Sequence, residues 1–299
     1  MSLQRRKANN VPIKWTAEDT ALLLAQLKDV GFNSDTLKQM FPDRSVSSLR
    51  SKVRKLRIEH DIFGNSYRDT KGEFTLMISK VAKPKKVFDA YAGAGHQTFK
   101  WAEVADTVFA AESMKSKLQQ FNKEAKEYGF KKEGLSGHWH KYTKGDKKIF
   151  YFIGDTIQAA ADLNANSVKV DLVDLDTCGS TLPTLSYFLL MLRPKHLVIT
   201  HGEFHSMRFK REDVLRRLLM HRDINVSPLP LTVDEMSNEL DKAVKIAALR
   251  AHNETVDSFW LDLKKETWLG SKFQGMLRRY YKVTKPPATA DCLNLLAEI

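Results

Sequence analysis

The stretch "VFDAYAGAGHQTFKWAEVADTVFAAE", Val87 to Glu112, decides the fold. Val87 to Tyr91 reads as a strand, Gly93 and Gly95 force a sharp turn, and His96 to about Val104 is a helical stretch. Thr107 to Ala111 is a second strand that ends in Glu112, and a long amphipathic helix follows. Strand, glycine turn, helix and strand in this order open an alternating α/β unit with a mainly parallel sheet. The glycines let backbone approach a ligand at a helix N-terminus, and an acid closing the second strand is placed to bond ribose hydroxyls. Gly93 and Glu112 lie 19 positions apart, near the ~20 of such units. Thr98 stands where the third glycine of a dinucleotide fingerprint falls, which disfavours a pyrophosphate.

The alternation continues downstream. "IFYFIGDTIQ" supplies a third strand with Asp155 at its end. "VDLVDLDTCGSTLP", Val170 to Pro183, is a fourth strand that runs into Asp174, Asp176 and Cys178. Open α/β sheets bind ligands at the carboxyl edge, which accounts for acids at the end of a buried strand. "HLVIT" is a fifth strand, and His201, Glu203 and Arg208 after it read either as substrate contacts or as a loop before a solvated basic helix. The charged excursion "KEGLSGHWHKYTKGDKKIFYF" is expected to be a surface hairpin. Neither His138 with His140 nor His201 with His205 has a third ligand or an H-E-x-x-H pattern, so no metal is expected. "LTVDEMSNELDKAVKIAALRAHNE" opens on a Thr232–Glu235 capping box and is expected as a helical insertion near 225–256. "RRYYKVTKPP" reads as a last strand, Arg279 to Val283, with Arg278, Arg279 and Lys282 extending a basic surface.

With 299 residues the chain exceeds one ordinary domain. No apolar run approaches the ~18 residues of a membrane span and the first residues lack a signal core, so an intracellular protein is expected. Two cysteines exclude a disulfide framework. The net charge of +12 favours a polyanionic partner. Residues 1–60 hold twelve Lys/Arg and six Asp/Glu, and residues 205–222 hold six basic and two acidic residues. The two patches read either as solvated helix faces or as two contacts with one long polyanion.

The N-terminal excess falls on three short helical stretches. Thr16 is an N-cap candidate with Glu18 and Asp19 in the first turn. Leu22, Leu23, Leu24 and Leu27 form an apolar face. Leu37, Met40 and Phe41 mark a second helix, and Val46, Leu49, Val53 and Leu56 stripe a third. The third has the form of a helix-turn-helix recognition helix, whose arginines can pair with phosphates or guanine edges. Trp15, Thr16 and Glu18, followed by "FPDRSVSSLRSKVRKL", resemble a Myb/SANT-like domain over about residues 12–58, although with one repeat and no regular tryptophan triplet. The division expected is a small all-α, Myb/SANT-like nucleic-acid-binding domain at 1–60, a linker with a lead-in helix at 61–84, and an α/β domain at 85–299.

Asp89, Gly93 and Gly95 fit the "D-x-x-A-G-x-G" motif of class I S-adenosyl-L-methionine (SAM)-dependent methyltransferases, and the chain resembles that family over about residues 85–205. The resemblance implies a Rossmann-like fold and SAM as cofactor. It places Asp89, Tyr91, Gly93, Gly95 and Asp174 about the cofactor, Glu112 on its ribose and Asp155 on its adenine amine. "DLVDLDTCGSTLP" is most similar to "D-x-D-P-[FY]-G-S-P" of tRNA guanine-N2 dimethyltransferases, departing at Thr177 and Cys178, where that family has proline and an aromatic.

The expected function is methyl transfer to a base of nucleic acid, DNA favoured over RNA because of the N-terminal module. Asp176 and the Thr177 carbonyl would hold an exocyclic amine by its N–H groups. Cys178 is the catalytic residue of a rival, covalent C5-cytosine route, two positions after Asp176 where that family has three. A tRNA amino-methyltransferase, or a SAM-binding DNA-binding factor without catalysis, also fits these residues. The expected nucleic-acid contacts are Arg44, Arg50, Lys52, Arg54, Lys55 and Arg57, with Arg208, Lys210 and Arg211.

Overall fold

A computed structural model describes residues 14–29, 34–59, 67–136, 138–177, 179–204, 232–252, 258–269, 276–289 and 294–295. The chain divides into two compact units, 1–68 and 69–299.

In the first unit, α1 (Ala17–Asp29), α2 (Ser34–Met40) and α3 (Val46–Glu59) bury Leu23, Leu27, Leu37, Phe41, Leu49, Val53 and Leu56 in one cluster. Thr16 Oγ1 accepts from the Asp19 N–H at 3.0 Å, and Ser45 Oγ accepts from the Ser48 N–H at 3.1 Å, so α1 and α3 each start on a hydroxyl cap. Trp15 packs edge-on against Phe41 at 5.5 Å between ring centres.

The second unit is built on a nine-stranded sheet. In chain order its elements are α4 (Arg68–Ala82), β1 (Lys86–Asp89), α5 (His96–Val104), β2 (Thr107–Glu112), α6 (Lys117–Glu127), β3 (Lys131–Ser136), β4 (Trp139–Lys144), β5 (Lys147–Ile153), α7 (Thr156–Ala165), β6 (Leu172–Leu175), α8 (Leu182–Leu192), β7 (His196–His201), α9 (Val233–Leu249), β8 (Trp260–Leu269) and β9 (Met276–Thr284). The strand order is β3-β4-β5-β2-β1-β6-β7-β9-β8. The five strands from β5 to β7 are parallel, while β4, β3, β9 and β8 pair antiparallel at the flanks. The order reverses between β1 and β6, the topological switch point where such sheets bind ligands.

Side-chain alternation divides the core into two layers. Val87, Val108, Ala110, Leu172 and Val198 pack with Phe74 and Ile78 of α4, Phe99 and Trp101 of α5, and Phe121 of α6. Phe88, Phe109, Val173, Leu175, Leu197 and Ile199 pack on the other face with α7, α8 and α9. Each fully buried Leu, Val or Phe contributes about 1.5–3 kcal/mol, so both layers hold the parallel strand ends in place.

The structure adds detail to three expectations. Residues 68–82, within the expected linker with a lead-in helix, form α4, whose Phe74 and Ile78 are buried against the sheet. The segment near 225–256, read as an insertion, contains α9, which starts on the Thr232–Glu235 capping box. Its Met236, Leu240, Ala243, Val244 and Ala247 are buried, so α9 packs its apolar face into the core beside α8. The charged excursion is the β3–β4 hairpin, but it lengthens the sheet beside β5 and buries Trp139, whose Nε1 donates to Asp162 Oδ2 at 2.6 Å.

Candidate active site

The turn after β1 depends on two left-handed glycines. Gly93 has φ +54 and Gly95 has φ +95, a region costly to other residues. A Cβ on Gly95 would lie 2.6 Å from the Phe121 ring, whereas one on Gly93 would meet nothing within 4 Å. Gly95 is therefore fixed by packing, and Gly93 borders open space. Glu112 at the end of β2 bridges two loops, with Oε2 accepting from the Gly93 N–H at 2.9 Å and Oε1 from the Met114 N–H at 2.7 Å. Tyr151 of β5 donates its hydroxyl to the Gly93 carbonyl at 2.7 Å, and burial holds that phenol well above its ordinary pKa. Asp155 caps α7, its Oδ1 accepting from the N–H groups of Ile157 at 2.8 Å and Gln158 at 3.2 Å. Tyr91 shares a 3.1 Å hydrogen bond with Thr184.

Gly93, Glu112, Asp155 and Tyr91 thus gather at consecutive carboxyl ends of β1, β2 and β5. Asp89 and Asp174, expected beside the cofactor, are fully buried beneath them. Asp89 Oδ2 accepts from Thr98 Oγ1 at 2.6 Å, tying β1 to α5. Among the described residues its Oδ1 has no hydrogen-bond partner, and burial, reinforced by the Asp174 charge, pushes its carboxyl up to about 8. Asp174 Oδ2 accepts from Trp101 Nε1 at 2.7 Å and from Arg278 Nη2 at 2.6 Å. Both acids thus lie buried at the ends of β1 and β6, held by Thr98, Trp101 and Arg278.

Asp176 lies one position beyond β6, with its side chain 14% exposed. Lys71 Nζ of α4 donates to both of its oxygens, at 2.8 and 2.6 Å. Burial pushes the Asp176 carboxyl up, but Lys71 and Arg278 outweigh it and hold the group below its ordinary value. After it, Thr177 Oγ1 donates to the Gly179 carbonyl at 2.7 Å, which tightens the loop into α8. A Cβ on Gly202 would lie 2.6 Å from that same Gly179 oxygen, so this loop rests on the end of β7.

His201 and Glu203 are both buried there, 3.6 Å apart between Nδ1 and Oε2. Among the described residues no group of three metal-ligating side chains is present, and no helix is long and apolar enough to cross a membrane.

The basic residues separate sharply. Arg44 is buried: its guanidinium lies 3.9 Å over the Trp15 ring, donates to the Lys14 carbonyl at 2.9 Å and pairs with Asp19. That arginine is a core residue of the first unit and not a nucleic-acid contact. Arg50 and Lys55 are exposed, and half-buried Lys52 sits 5.6 Å from the Trp15 ring centre. Arg54 and Arg57 fall on α3, and their side chains lie outside the described ones. Cys178, Arg208, Lys210 and Arg211 lie outside the described residues altogether. Arg278 and Arg279, expected on a basic surface, are buried: Arg278 pairs with Asp174, and Arg279 pairs with Glu266 and with Ser237.

Sequence reading missed Lys71, Trp101 and Tyr151. A signal existed for Arg278: two adjacent arginines in the apolar run "MLRRYYKV" cannot both face water from a buried strand, and a buried arginine needs an acid.

No family model matches this chain, and no curated protein matches its sequence. Solved structures do. Trm1 from Pyrococcus horikoshii, in complex with S-adenosyl-L-methionine, superimposes with a TM-score of 0.59 at 15% identity over 75% of this chain. The match spans 56% of the Trm1 chain. The fibrillarin pre-rRNA processing protein of Methanococcus jannaschii matches at 13% identity over 68% of each chain with a TM-score of 0.43. The N-methyltransferase NodS from Bradyrhizobium japonicum matches at 12% identity over 73% of this chain and 97% of its own, with a TM-score of 0.42. At this identity the likeness to Trm1 shows the fold alone: a Rossmann-like α/β sheet flanked by helices.

Proposed function

We propose that the protein is a SAM-dependent methyltransferase that acts on a base of nucleic acid at an exocyclic amine. The observation that carries this reading is the meeting of two features at one sheet edge. One is the glycine turn bordered by Glu112 and Asp155; the other is the ionised carboxylate of Asp176 at the neighbouring strand end.

The residues at the turn fit SAM. Open space above Gly93 admits a ligand, while Glu112 and Asp155 present carboxylates at the β2 and β5 ends, suited to ribose hydroxyls and an adenine amine. When bound, SAM supplies an electrophilic methyl carbon. Asp176 and the Thr177 carbonyl accept the two N–H bonds of the target amine and so aim its lone pair. Holding a nucleophile in line is most of what such a displacement asks of a protein. The depressed Asp176 carboxyl remains an acceptor, and the amine proton passes to solvent. A buried arginine and a lysine together neutralise Asp174 and Asp176, which offsets the cost of burying the acids.

Exposed Arg50 and Lys55 on α3 support a nucleic-acid substrate, and the preference for DNA over RNA rests on that helix alone. The test is radiolabelled methyl transfer onto duplex DNA and onto tRNA, beside calorimetry with SAM. Transfer to either, abolished in Asp176→Ala with SAM binding kept, supports the reading. Binding without transfer to either would make the protein a SAM-binding factor and overturn it. Trapping of a fluorocytosine adduct, lost in Cys178→Ser, would replace the amine route with the C5 route.

A further inference from the structure

We propose that Lys71 sets the acceptor class of this site: by pairing with Asp176 it admits a neutral, delocalised amine and excludes an aliphatic ammonium. The proposal rests on the methyltransferase reading and concerns a residue on the helix that precedes the sheet.

The contact is specific in geometry. Lys71 Nζ donates to both Asp176 oxygens, and each side chain is 14% exposed, so solvent screens the pair little. Among the described residues, the charged groups that act on Asp176 belong to one cluster. Lys71 comes from α4 and Arg278 from β9, Asp89 and Asp174 stand on β1 and β6, and the Thr200 hydroxyl bonds from β7. With Asp89 protonated near neutral pH, two cations balance two carboxylates. Among the described residues, the two pairs balance before any substrate arrives.

That balance discriminates between amines. A lysine, polyamine or other alkylammonium reaching Asp176 would meet a carboxylate already neutralised and a second ammonium beside it. Two like charges in contact repel strongly where little water screens them. A nucleobase amine carries no charge and uses only the lone pairs that Lys71 leaves on the two oxygens. In the transfer, the carbon–sulfur bond breaks as the carbon–nitrogen bond forms, and its electron pair stays on sulfur as a neutral thioether. Nitrogen takes up the positive charge and then loses a proton to solvent. The charge on nitrogen is transient, whereas an ammonium substrate brings it from the start. Lys71 is thus a positioning residue that acts through Asp176.

The test compares the 299-residue protein with Lys71→Ala, Lys71→Met and Lys71→Arg. The carboxyl carbon of Asp176 is followed by NMR titration without any cofactor, and methyl transfer is measured onto nucleic acid and onto n-butylammonium and spermidine. The expected results are an upward shift of the Asp176 titration in the Ala and Met variants, with the acid limb of the transfer profile moving the same way. Lys71→Arg keeps the wild-type values. Added ethylammonium restores the titration in Lys71→Ala, and aliphatic amines improve as acceptors by about tenfold or more in the Met variant. An Asp176 titration unchanged by loss of Lys71 would overturn the proposal, as would unchanged amine selectivity in a folded Met variant. Should Lys71→Ala not fold, the Met and Arg variants decide by the same readings. Failure of the methyltransferase reading itself shows differently, as absence of transfer from the wild-type protein with the titration shift intact.

Discussion

Arg278 on β9 and Asp174 on β6 form a fully buried ion pair, 2.6 Å between Nη2 and Oδ2. Strand β7 lies between them in the sheet order, and its Thr200 accepts from Arg278 Nη1 at 2.6 Å. The pair therefore reaches across three strands beneath the proposed catalytic acid. Arg278→Met leaves Asp174 with a buried, unpaired charge, which costs about 3–5 kcal/mol. Urea denaturation at neutral pH measures it, and a loss below about 1 kcal/mol would show that the cluster tolerates an open charge.

Asp89 makes stability fall as pH rises. Its carboxyl is raised from 3.8 to about 8 in the fold by burial first and by Asp174 next. A raised carboxyl means that the folded state holds a proton the unfolded chain has released. The stabilisation is complete below pH 3.8 and is lost progressively up to about pH 8. Asp176, held low, works in the opposite sense and loses its contribution in acid. Denaturation of Asp89→Asn between about pH 5 and pH 8, within that window, is expected to show a flatter slope than wild type.

Gly95 tolerates no side chain. Gly95→Ala would place a Cβ 2.6 Å from Phe121 and 2.8 Å from Phe99 at φ +95. Overpacking of this kind costs about 1–3 kcal/mol, with the backbone strain in addition. A clear drop in melting temperature is expected, together with weaker SAM binding by calorimetry. Gly93→Ala separates the two effects, since its Cβ meets no atom and only the φ +54 strain remains.

Glu112 holds the turn and, in the proposed function, the ribose. Glu112→Gln keeps one acceptor for the Gly93 and Met114 N–H groups and loses the charge. SAM affinity is expected to fall about tenfold, in the range of a charged hydrogen bond of about 1.5 kcal/mol. An unchanged dissociation constant would assign Glu112 to the loop alone.

The first unit offers a contrast between two arginines. Arg50→Ala is expected to weaken nucleic-acid binding evenly across sequences and to reduce the salt slope by about 1. Arg44→Ala removes the group stacked on Trp15 and paired with Asp19, so its loss reads in the melting curve. Binding titrations at two salt concentrations, with thermal denaturation of both variants, distinguish these roles.

What the sequence determined by itself was local. The helix from His96 to Val104, the Thr232 capping box and the acids closing β2 and β6 follow from turn chemistry and from hydrophobic period. β8 escaped because Lys264, Lys265 and Glu266 interrupt its apolar residues at a bulge on the sheet edge. The tertiary structure alone decided which charges are interior. Lys71 meets Asp176 across 105 positions, and Arg278 meets Asp174 across 104. Arg44 turns inward, while Arg50, six positions on, faces water. A charge carries no periodic signature of its partner. Its fate depends on strand order and on the cost of burying it unpaired, and neither can be read from neighbouring residues.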